Sequence, residues 1–332
     1  MTSVEVRGLI GRRSVTFLAA IVVIILAIGP LTFISPYGLS VIFFLLTFAS
    51  LAQSYDIVGG LTGYINLGHI AFFAVGVYSF GALMNAGLGP ALSFILAIPV
   101  VALFAAAVSI PFLRLRGFYF AVAMLALVGL LDLIVRSTAL TSITGGFSGI
   151  KIATQNNQLP SYYLALALTV ITTVSVYLIR KSKFGRGLLS IREDEQIAEV
   201  WGVNTALYKR LALIISAIFA GFAGEVYLWF LTITTPRALF GLDITFRPIT
   251  IALLGGTGSV IGPLIGSALF AIIDQGLIAQ VSYFSRGVIG IIFLLVGLAA
   301  PGGIVGLAKT KIARRLVIRK PALVVTGKPE KS

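Results

Sequence analysis

The sequence predicts an all-α fold, a polytopic transmembrane helical bundle of about ten spans with both termini in the cytoplasm. Counts of eight or nine spans remain open. The 332 residues are 58% hydrophobic and only 11% charged, whereas a soluble domain carries roughly 25% charged residues. The mean hydropathy is +1.05. Apolar runs of about 20 residues, the length that crosses a bilayer, follow one another along the chain.

The apolar runs form a membrane domain, residues 15–307, between an N-terminal tail of residues 1–14 and a basic C-terminal tail of residues 308–332. The eighth run is short and ends in a glycine-rich stretch, so a half-helix or re-entrant segment is the alternative there. The ten spans are predicted at residues 15–34, 39–58, 68–86, 91–113, 117–136, 161–180, 210–232, 244–258, 260–281 and 286–306.

The basic residues orient this bundle. With the N-terminus inside, most of the 25 Lys and Arg residues fall on inner segments, as the positive-inside rule requires. An even number of spans then places both termini in the cytoplasm. Because these residues sit at the ends of apolar runs and form no binding face, the charge excess does not indicate nucleic acid. The outer side keeps Arg136, Lys151, Arg237, Arg247 and Arg286.

Two loops are long, and the inner one is unusual. Residues 137–160 form a polar, glycine-rich outer loop, and residues 181–209 form an inner loop that contains "SIREDEQIAEVWGVN", residues 190–204. Four of the eleven acidic residues of the chain lie in this short stretch: Glu193, Asp194, Glu195 and Glu199.

A short helix is predicted over residues 191–201. Ser190 and Glu193 have the spacing of a capping box, acids in the first turn suit the helix dipole, and Gly202 with Asn204 supplies a stop. Ile191, Ile197 or Ala198, and Trp201 would share one face, opposite the acids. Anionic lipid would repel the acids, so the pattern favours docking onto a soluble partner over a solvated linker.

Catalytic motifs do not occur in the chain. It has no cysteine, and His69 is its one histidine, without a G-x-S-x-G sequence beside it. The stretch "GGTGSVIG" lacks the Gly-Lys-Ser/Thr ending of an ATP-binding loop. The sequence therefore predicts a protein that is not an enzyme, holds no metal or cofactor, and does not hydrolyse ATP.

Two glycine-rich stretches interrupt the apolar pattern, one in each half of the chain. Paired interruptions of this kind are typical of broken helices that line a translocation path, and close helix packing is the alternative. The glycines that carry this prediction are Gly59, Gly60, Gly63, Gly255, Gly256 and Gly258.

Polar residues inside the spans are the candidates for the translocation path, because such groups are costly in hydrocarbon and face the bundle interior or water. The alternative is that Asp56 caps a helix end and His69 bonds a backbone carbonyl. Asp132 is expected to pair with Arg136 on the same helix face. The path candidates are Gln53, Asp56, Asn66, His69 and Glu225.

The stretch "QIAEVWG", residues 196–202, resembles the cytoplasmic coupling-loop motif of ABC importer permeases. The motif's Ala-to-Gly spacing is kept by Ala198 and Gly202, whereas Gln196 and Ile197 replace its first two positions. The surrounding residues 182–213 are similar to the LivM-like permeases of branched-chain amino-acid importers. So are "GGLTGYINLGHIAFFAVGVY", "LRLRGFYFAVAMLAL", "SITGGFSGI", "LGGTGSVIGPLIGS" and "PGGIVGL".

The resemblance implies a subunit of a larger importer in the bacterial inner membrane. Its expected partners are a second, homologous permease, two cytoplasmic ATPases that bind ATP and magnesium, and a periplasmic or lipid-anchored binding protein for Leu, Ile or Val. Urea, short amides or other amino acids remain alternative substrates, and an ion-coupled carrier remains a more distant alternative. The residues expected in the ATPase coupling helix are Arg192, Glu193, Asp194, Glu195, Ala198, Glu199, Trp201 and Gly202.

Overall fold

The computed structural model describes residues 24–30, 35–154, 157–278 and 303–304. Both predicted tails lie outside these residues, as do most of the predicted first span, 15–34, and of the tenth, 286–306. Residues 24–30 are helical. The helices that follow are α1 Pro36–Thr62, α2 His69–Asn85, α3 Pro90–Phe112, α4 Gly117–Arg136, α5 Thr141–Thr144, α6 Gln158–Lys181, α7 Lys183–Glu193, α8 Glu195–Val200, α9 Thr205–Leu231, α10 Pro236–Phe240, α11 Leu242–Gly255 and α12 Gly262–Ile278.

The helical, multi-span class is confirmed. Within the described residues, six helical segments are long and apolar enough to cross a membrane: α1, α3, α4, α6, α9 and the combined stretch Pro236–Gly255. Helices α2 and α12 are apolar but shorter by the same measure. One small strand pair was not predicted: β1, Ile150–Lys151, pairs antiparallel with β2, Ile233–Thr234, with Ile150 opposite Thr234. It ties the long 137–160 loop to the end of α9.

Local sequence signals set the ends of the central helix α1. The Ser35 side chain accepts a hydrogen bond from the Gly38 amide, and Pro36 occupies the first turn, where no amide donor is needed. The helix ends at Gly63, whose φ of +76° suits glycine. The glycine break predicted at this point therefore is the end of a 27-residue helix.

The core is built around α1, α2 and α9. Most of the apolar stretch of α1 and of α9 is buried, 78% and 67%, whereas only 28% of the apolar stretch of α3 is buried. A side chain at Gly76 of α2 would meet the Gly221 backbone of α9, so small residues let these helices touch. On the outside, Leu103, Phe118 and Leu133 are at least 70% exposed, as expected of a lipid-facing surface.

Helices α11 and α12 form a close hairpin across the second glycine stretch. A side chain at Gly255 would lie 1.7 Å from the Gly262 carbonyl oxygen, and one at Gly266 would lie 2.1 Å from that of Ile251. Small residues thus let the two helices approach closely, as in the alternative of close helix packing. Helix α11 has 14 residues, about 21 Å of rise, which is less than the hydrocarbon thickness of about 30 Å. The short helix α10 precedes α11, and the extended residue Gly241 separates the two helices.

Candidate functional site

The unusual inner loop folds as two helices, α7 and α8, which we name the docking segment, residues 183–203. The predicted single helix over 191–201 with a capping box at Ser190 is wrong. Glu193 is the last residue of α7, and the extended Asp194 starts α8 by accepting hydrogen bonds from the amides of Gln196 and Ile197, at 2.8 and 3.0 Å. The Ser190 hydroxyl instead donates to the Gly187 carbonyl at 2.8 Å.

The predicted stop of this segment is confirmed in one of its two residues. Gly202 has a φ of +83°, and its amide donates to the Glu199 carbonyl at 2.9 Å. Asn204 has a different role, since its side chain accepts from the Leu207 amide and so begins α9.

The apolar residues of the docking segment divide between two sides. Ile191 and Ala198 are buried, whereas Ile197, Val200 and Trp201 are 57%, 86% and 82% exposed. The prediction of one shared apolar face is therefore wrong: Ile191 belongs to the separate helix α7, and Ala198 lies on the buried side of α8 whereas Ile197 lies on its exposed side. A groove of about 740 Å³ lies between them. Its lining includes Lys183, Arg186, Glu193, Ile197, Trp201 and Tyr208.

Glu195 fastens α8 to the helical bundle. Its carboxylate accepts hydrogen bonds from the Tyr64 hydroxyl, just past the end of α1, and from the Lys209 ammonium of α9 at 2.6 Å. Lys209 is 5% exposed and also donates to the Tyr64 hydroxyl at 3.2 Å. Charged hydrogen bonds of this kind are about twice as strong as neutral ones. One carboxylate thus joins α8 to two membrane helices.

These contacts set the charge state of Glu195. Burial alone would raise its pKa, but hydrogen bonds from Lys209 and Tyr64, together with the charges of Lys209 and Arg116, outweigh burial and lower the pKa. For Tyr64, burial and the neighbouring Glu195 raise the pKa. Glu195 therefore stays ionised and Tyr64 stays a hydrogen-bond donor at neutral pH.

A second acid of α8 extends the network. Glu199 accepts a hydrogen bond from the Thr205 hydroxyl at 2.7 Å. The Arg116 guanidinium, at the start of α4, lies 3.7 Å from Glu195 and 3.8 Å from Glu199. Arg116 is more than half exposed, so these ion pairs are weak and salt-sensitive. The acids of α8 therefore face the ends of α1, α4 and α9.

Arg192, the last arginine of α7, connects the docking segment to both glycine stretches. Its Nη1 donates to the Gly60 carbonyl oxygen of α1 at 2.6 Å. Gly258, which follows α11, passes so close that an added side chain would lie 2.7 Å from the same Nη1. The Gly258 amide donates to both carboxylate oxygens of Asp56, at 2.8 and 2.9 Å. Arg192, Gly60, Asp56 and Gly258 form one cluster, which we name the glycine junction.

The other glycines of the two stretches lie around this junction. Gly59 packs on the Tyr55 ring, Gly63 packs on the Arg192 side chain, and Gly256 ends α11 with a φ of +111°. The two stretches, about 200 residues apart in the chain, meet through Gly60 and Gly258. The expected cap by Asp56 is thus made to the second glycine stretch and not to its own helix.

The remaining predicted path residues are buried but are not all brought together. His69 Nε2 lies 2.9 Å from the Ser54 hydroxyl, and the imidazole also interacts with the backbone of Leu51, as the alternative expected. Gln53 donates to the Val260 carbonyl at 3.2 Å and accepts from the Thr173 hydroxyl at 3.0 Å. The expected Asp132–Arg136 pair is confirmed at 2.7 Å.

Two path candidates stand apart from these. Asn66 accepts from the Gly68 amide at 3.0 Å, which turns the chain between α1 and α2. Glu225, in α9, is fully buried, and neither carboxylate oxygen has a hydrogen-bond partner within the described residues.

Comparison with known proteins shows which family has a sequence like that of this chain. The family model for the permease component of branched-chain amino-acid transport systems matches residues 37–297. The permease LivM of Escherichia coli is 26% identical over 292 residues, which cover 77% of this chain and 67% of that protein. The permease LivH of Salmonella typhimurium is 26% identical over 283 residues, 78% of this chain and 91% of that protein.

Shorter similarity extends to other permeases. The probable ABC transporter permease YphD of Escherichia coli is 28% identical over 141 residues, 41% of this chain and 42% of that protein. No solved structure matches the chain. The family match covers both glycine stretches, the docking segment, α2 to α12, and all of α1 except its first residue. The chain belongs to the family of permease components of branched-chain amino-acid transport systems, multi-pass proteins of the inner membrane.

Proposed function

We propose that this chain is the permease subunit of an ABC importer and forms half of a translocation path for leucine, isoleucine and valine. Its family, and the branched-chain amino-acid transport for which LivM and LivH are named, support this substrate class. A second, homologous permease supplies the other half of the path. A periplasmic or lipid-anchored binding protein delivers the amino acid from outside.

The proposed topology has ten spans with both termini in the cytoplasm. The end of α1, the start of α4, the end of α6 and the start of α9 all adjoin the docking segment at one end of the bundle. The basic residues Arg116, Arg180, Lys181 and Lys209 lie at these helix ends. That charge supports assigning this end to the cytoplasm.

One observation carries the mechanism: Glu195 is shared between α8, the end of α1 and the start of α9. In the proposed mechanism a cytoplasmic ATPase, which binds ATP and magnesium, also binds the exposed side chains of Ile197, Val200 and Trp201. Since these side chains belong to α8 or adjoin it, closing of the two ATPases displaces α8. The buried Glu195–Lys209 contact then transfers the displacement to α1 and α9.

Arg192 provides a second route for the same motion. It connects α7 to the glycine junction, where α1 ends and the α11–α12 hairpin turns. Movement of α7 would shift both glycine stretches together and so change access to the path. Gln53, Asp56, Asn66, His69 and Glu225 remain the proposed polar groups along it.

Transport by the assembled importer tests this proposal. Proteoliposomes that contain the chain, its partner permease, the ATPases and a loaded binding protein should take up labelled leucine only when ATP is supplied inside. Uptake that follows a proton or sodium gradient without ATPase subunits would contradict the proposal in favour of an ion-coupled carrier. Uptake of urea or short amides in place of leucine would contradict the substrate class alone.

A further inference from the structure

Arg247 is a positive charge inside the membrane domain that the coupling mechanism does not use. The charge pattern of the sequence placed this residue on the outer side, but it lies within α11, half-buried against two aromatic rings. Its guanidinium carbon is 4.7 Å from the ring centre of Phe48 in α1 and 5.2 Å from that of Phe270 in α12. Three helices therefore meet at this one cation.

The position of Phe48 indicates the depth of this cation. Phe48 is near the middle of the 27-residue helix α1, roughly 18 Å from its start at 1.5 Å of rise per residue. A helix this long spans the hydrocarbon layer, so its midpoint lies near the centre of the bilayer. A charge at such depth is costly and usually marks a substrate or ion pathway.

Arg247 has no anionic partner among the side chains that the structure describes. None of the observed ion pairs includes it, and its buried Nε has no hydrogen-bond partner. The acid one turn earlier, Asp243, is exposed and forms no ion pair with it. Among the side chains that the structure describes, this cation therefore has no counter-charge, and an anionic group would find a planar, two-pronged donor there.

The walls beside Arg247 suit an aliphatic group. The adjoining cleft is lined mainly by apolar side chains, among them Phe44, Leu45, Ile251 and Ala271. In this conformation the cleft has a volume of about 20 Å³, room for about one water. An amino acid can reach Arg247 only when α1, α11 and α12 move apart, and α1 and α11 both end at the glycine junction.

We propose that Arg247 binds the α-carboxylate of the amino acid during its passage, while the apolar cleft takes the aliphatic side chain. The inference rests on the proposed function and adds the chemical class of the ligand group at a named site. It also favours amino acids over urea and neutral amides, which offer no carboxylate to the cation.

The test compares Arg247→Gln with Arg237→Gln in reconstituted importer. Arg237 is an exposed arginine of α10, so its removal controls for the loss of one positive charge. We expect Arg247→Gln to lower leucine uptake at least about tenfold, the effect of losing a charged hydrogen bond. ATP hydrolysis stimulated by loaded binding protein should persist, because the docking segment is intact.

Three outcomes are distinguishable. Wild-type uptake by Arg247→Gln would overturn the inference and leave the proposed function standing. Joint loss of subunit assembly and ATP hydrolysis would also overturn it, since Arg247 would then be a packing group. Absence of leucine uptake by the wild-type importer would instead refute the proposed function.

A chemical rescue separates charge from shape. The chain contains no cysteine, so Arg247→Cys carries its one thiol. Treatment with 2-aminoethyl methanethiosulfonate attaches a cation at this position, and methyl methanethiosulfonate attaches a neutral group. We expect uptake to recover with the first reagent only, in parallel with treated wild-type importer as control. Recovery with neither reagent, or with both, would contradict a carboxylate-binding role.

Discussion

Replacing Glu195 by glutamine should loosen α8 from the membrane helices. The substitution leaves the Lys209 ammonium, 5% exposed, without its carboxylate at 2.6 Å. Breaking a fully buried pair costs about 3–5 kcal/mol and an exposed pair at most about 1 kcal/mol. The Glu195 side chain is 12% exposed, and glutamine keeps part of the hydrogen bonding, so we expect a loss of about 2 kcal/mol.

That loss has a direct readout in hydrogen exchange. At about 1.4 kcal/mol per tenfold change, α8 should open roughly thirty times more often. Exchange at the amides of Ala198, Trp201 and Val203, which close the turns of α8, should accelerate by that factor in nanodiscs. Glu193→Gln is the matched control, because Glu193 forms no ion pair or side-chain hydrogen bond with the described residues.

The reasoning is refuted if Glu195→Gln and Glu193→Gln exchange at the same rate. A double-mutant cycle sharpens the test. Lys209→Met removes the stranded ammonium, so the pair Glu195→Gln with Lys209→Met should be less destabilised than the sum of the two single variants. Strict additivity would show that the two groups do not interact.

Three further predictions follow from neighbouring contacts. Gly60→Ala should abolish leucine uptake, because the new methyl group would lie 2.6 Å from the Gly258 nitrogen, whereas Gly129→Ala, which meets nothing within 4 Å, should leave uptake intact. Asp194→Ala should destabilise α8 by about 1 kcal/mol and speed its exchange, whereas Ser190→Ala, which caps nothing, should not. Because docking lowers the pKa of Glu195, its ionised carboxylate stabilises α8 docking fully above the ordinary glutamate pKa, and this stabilisation is lost as the pH falls through the lowered value. Hydrogen exchange of α8, corrected for intrinsic rates, should accelerate over the same pH range. Glu195→Gln should remove this pH dependence.

Hydrophobic runs and charge placement were sufficient to predict the membrane class and most helix positions. The predicted span 117–136 coincides with α4, and 91–113 differs from α3 by one residue at each end. Apolar length is a local property, which explains this agreement. The predicted ends of α1 were less accurate, because the helix continues past its apolar run to Thr62.

The docking segment shows where local patterns were insufficient. Ser190 and Glu193 fit a capping box, yet Asp194 is the cap, because α7 packs on the bundle and continues through Ser190. The cluster of acidic residues identified the segment but not its partners. Tyr64 is 131 residues from Glu195 and Lys209 is 14 residues from it, and the fold brings both within hydrogen-bond distance.

The residues of the glycine junction were predicted in part, but their contacts were not. Its glycines and Asp56 were identified from sequence, but the contact between the two stretches and the role of Arg192 were not. Likewise, Arg247 was counted among the outer-side charges although it falls within the predicted span 244–258, and nothing in that short run beside Pro248 indicated the Phe48 and Phe270 rings.

The central claim is that Glu195 and Arg192 transmit ATPase motion to the membrane helices. The number of ATP molecules hydrolysed per leucine transported, measured in proteoliposomes, tests this most directly. For Glu195→Gln and Arg192→Gln we expect stimulated ATP hydrolysis to continue while uptake falls, so that this number rises well above the wild-type value. A wild-type number in both variants, with undiminished uptake, would contradict the claim.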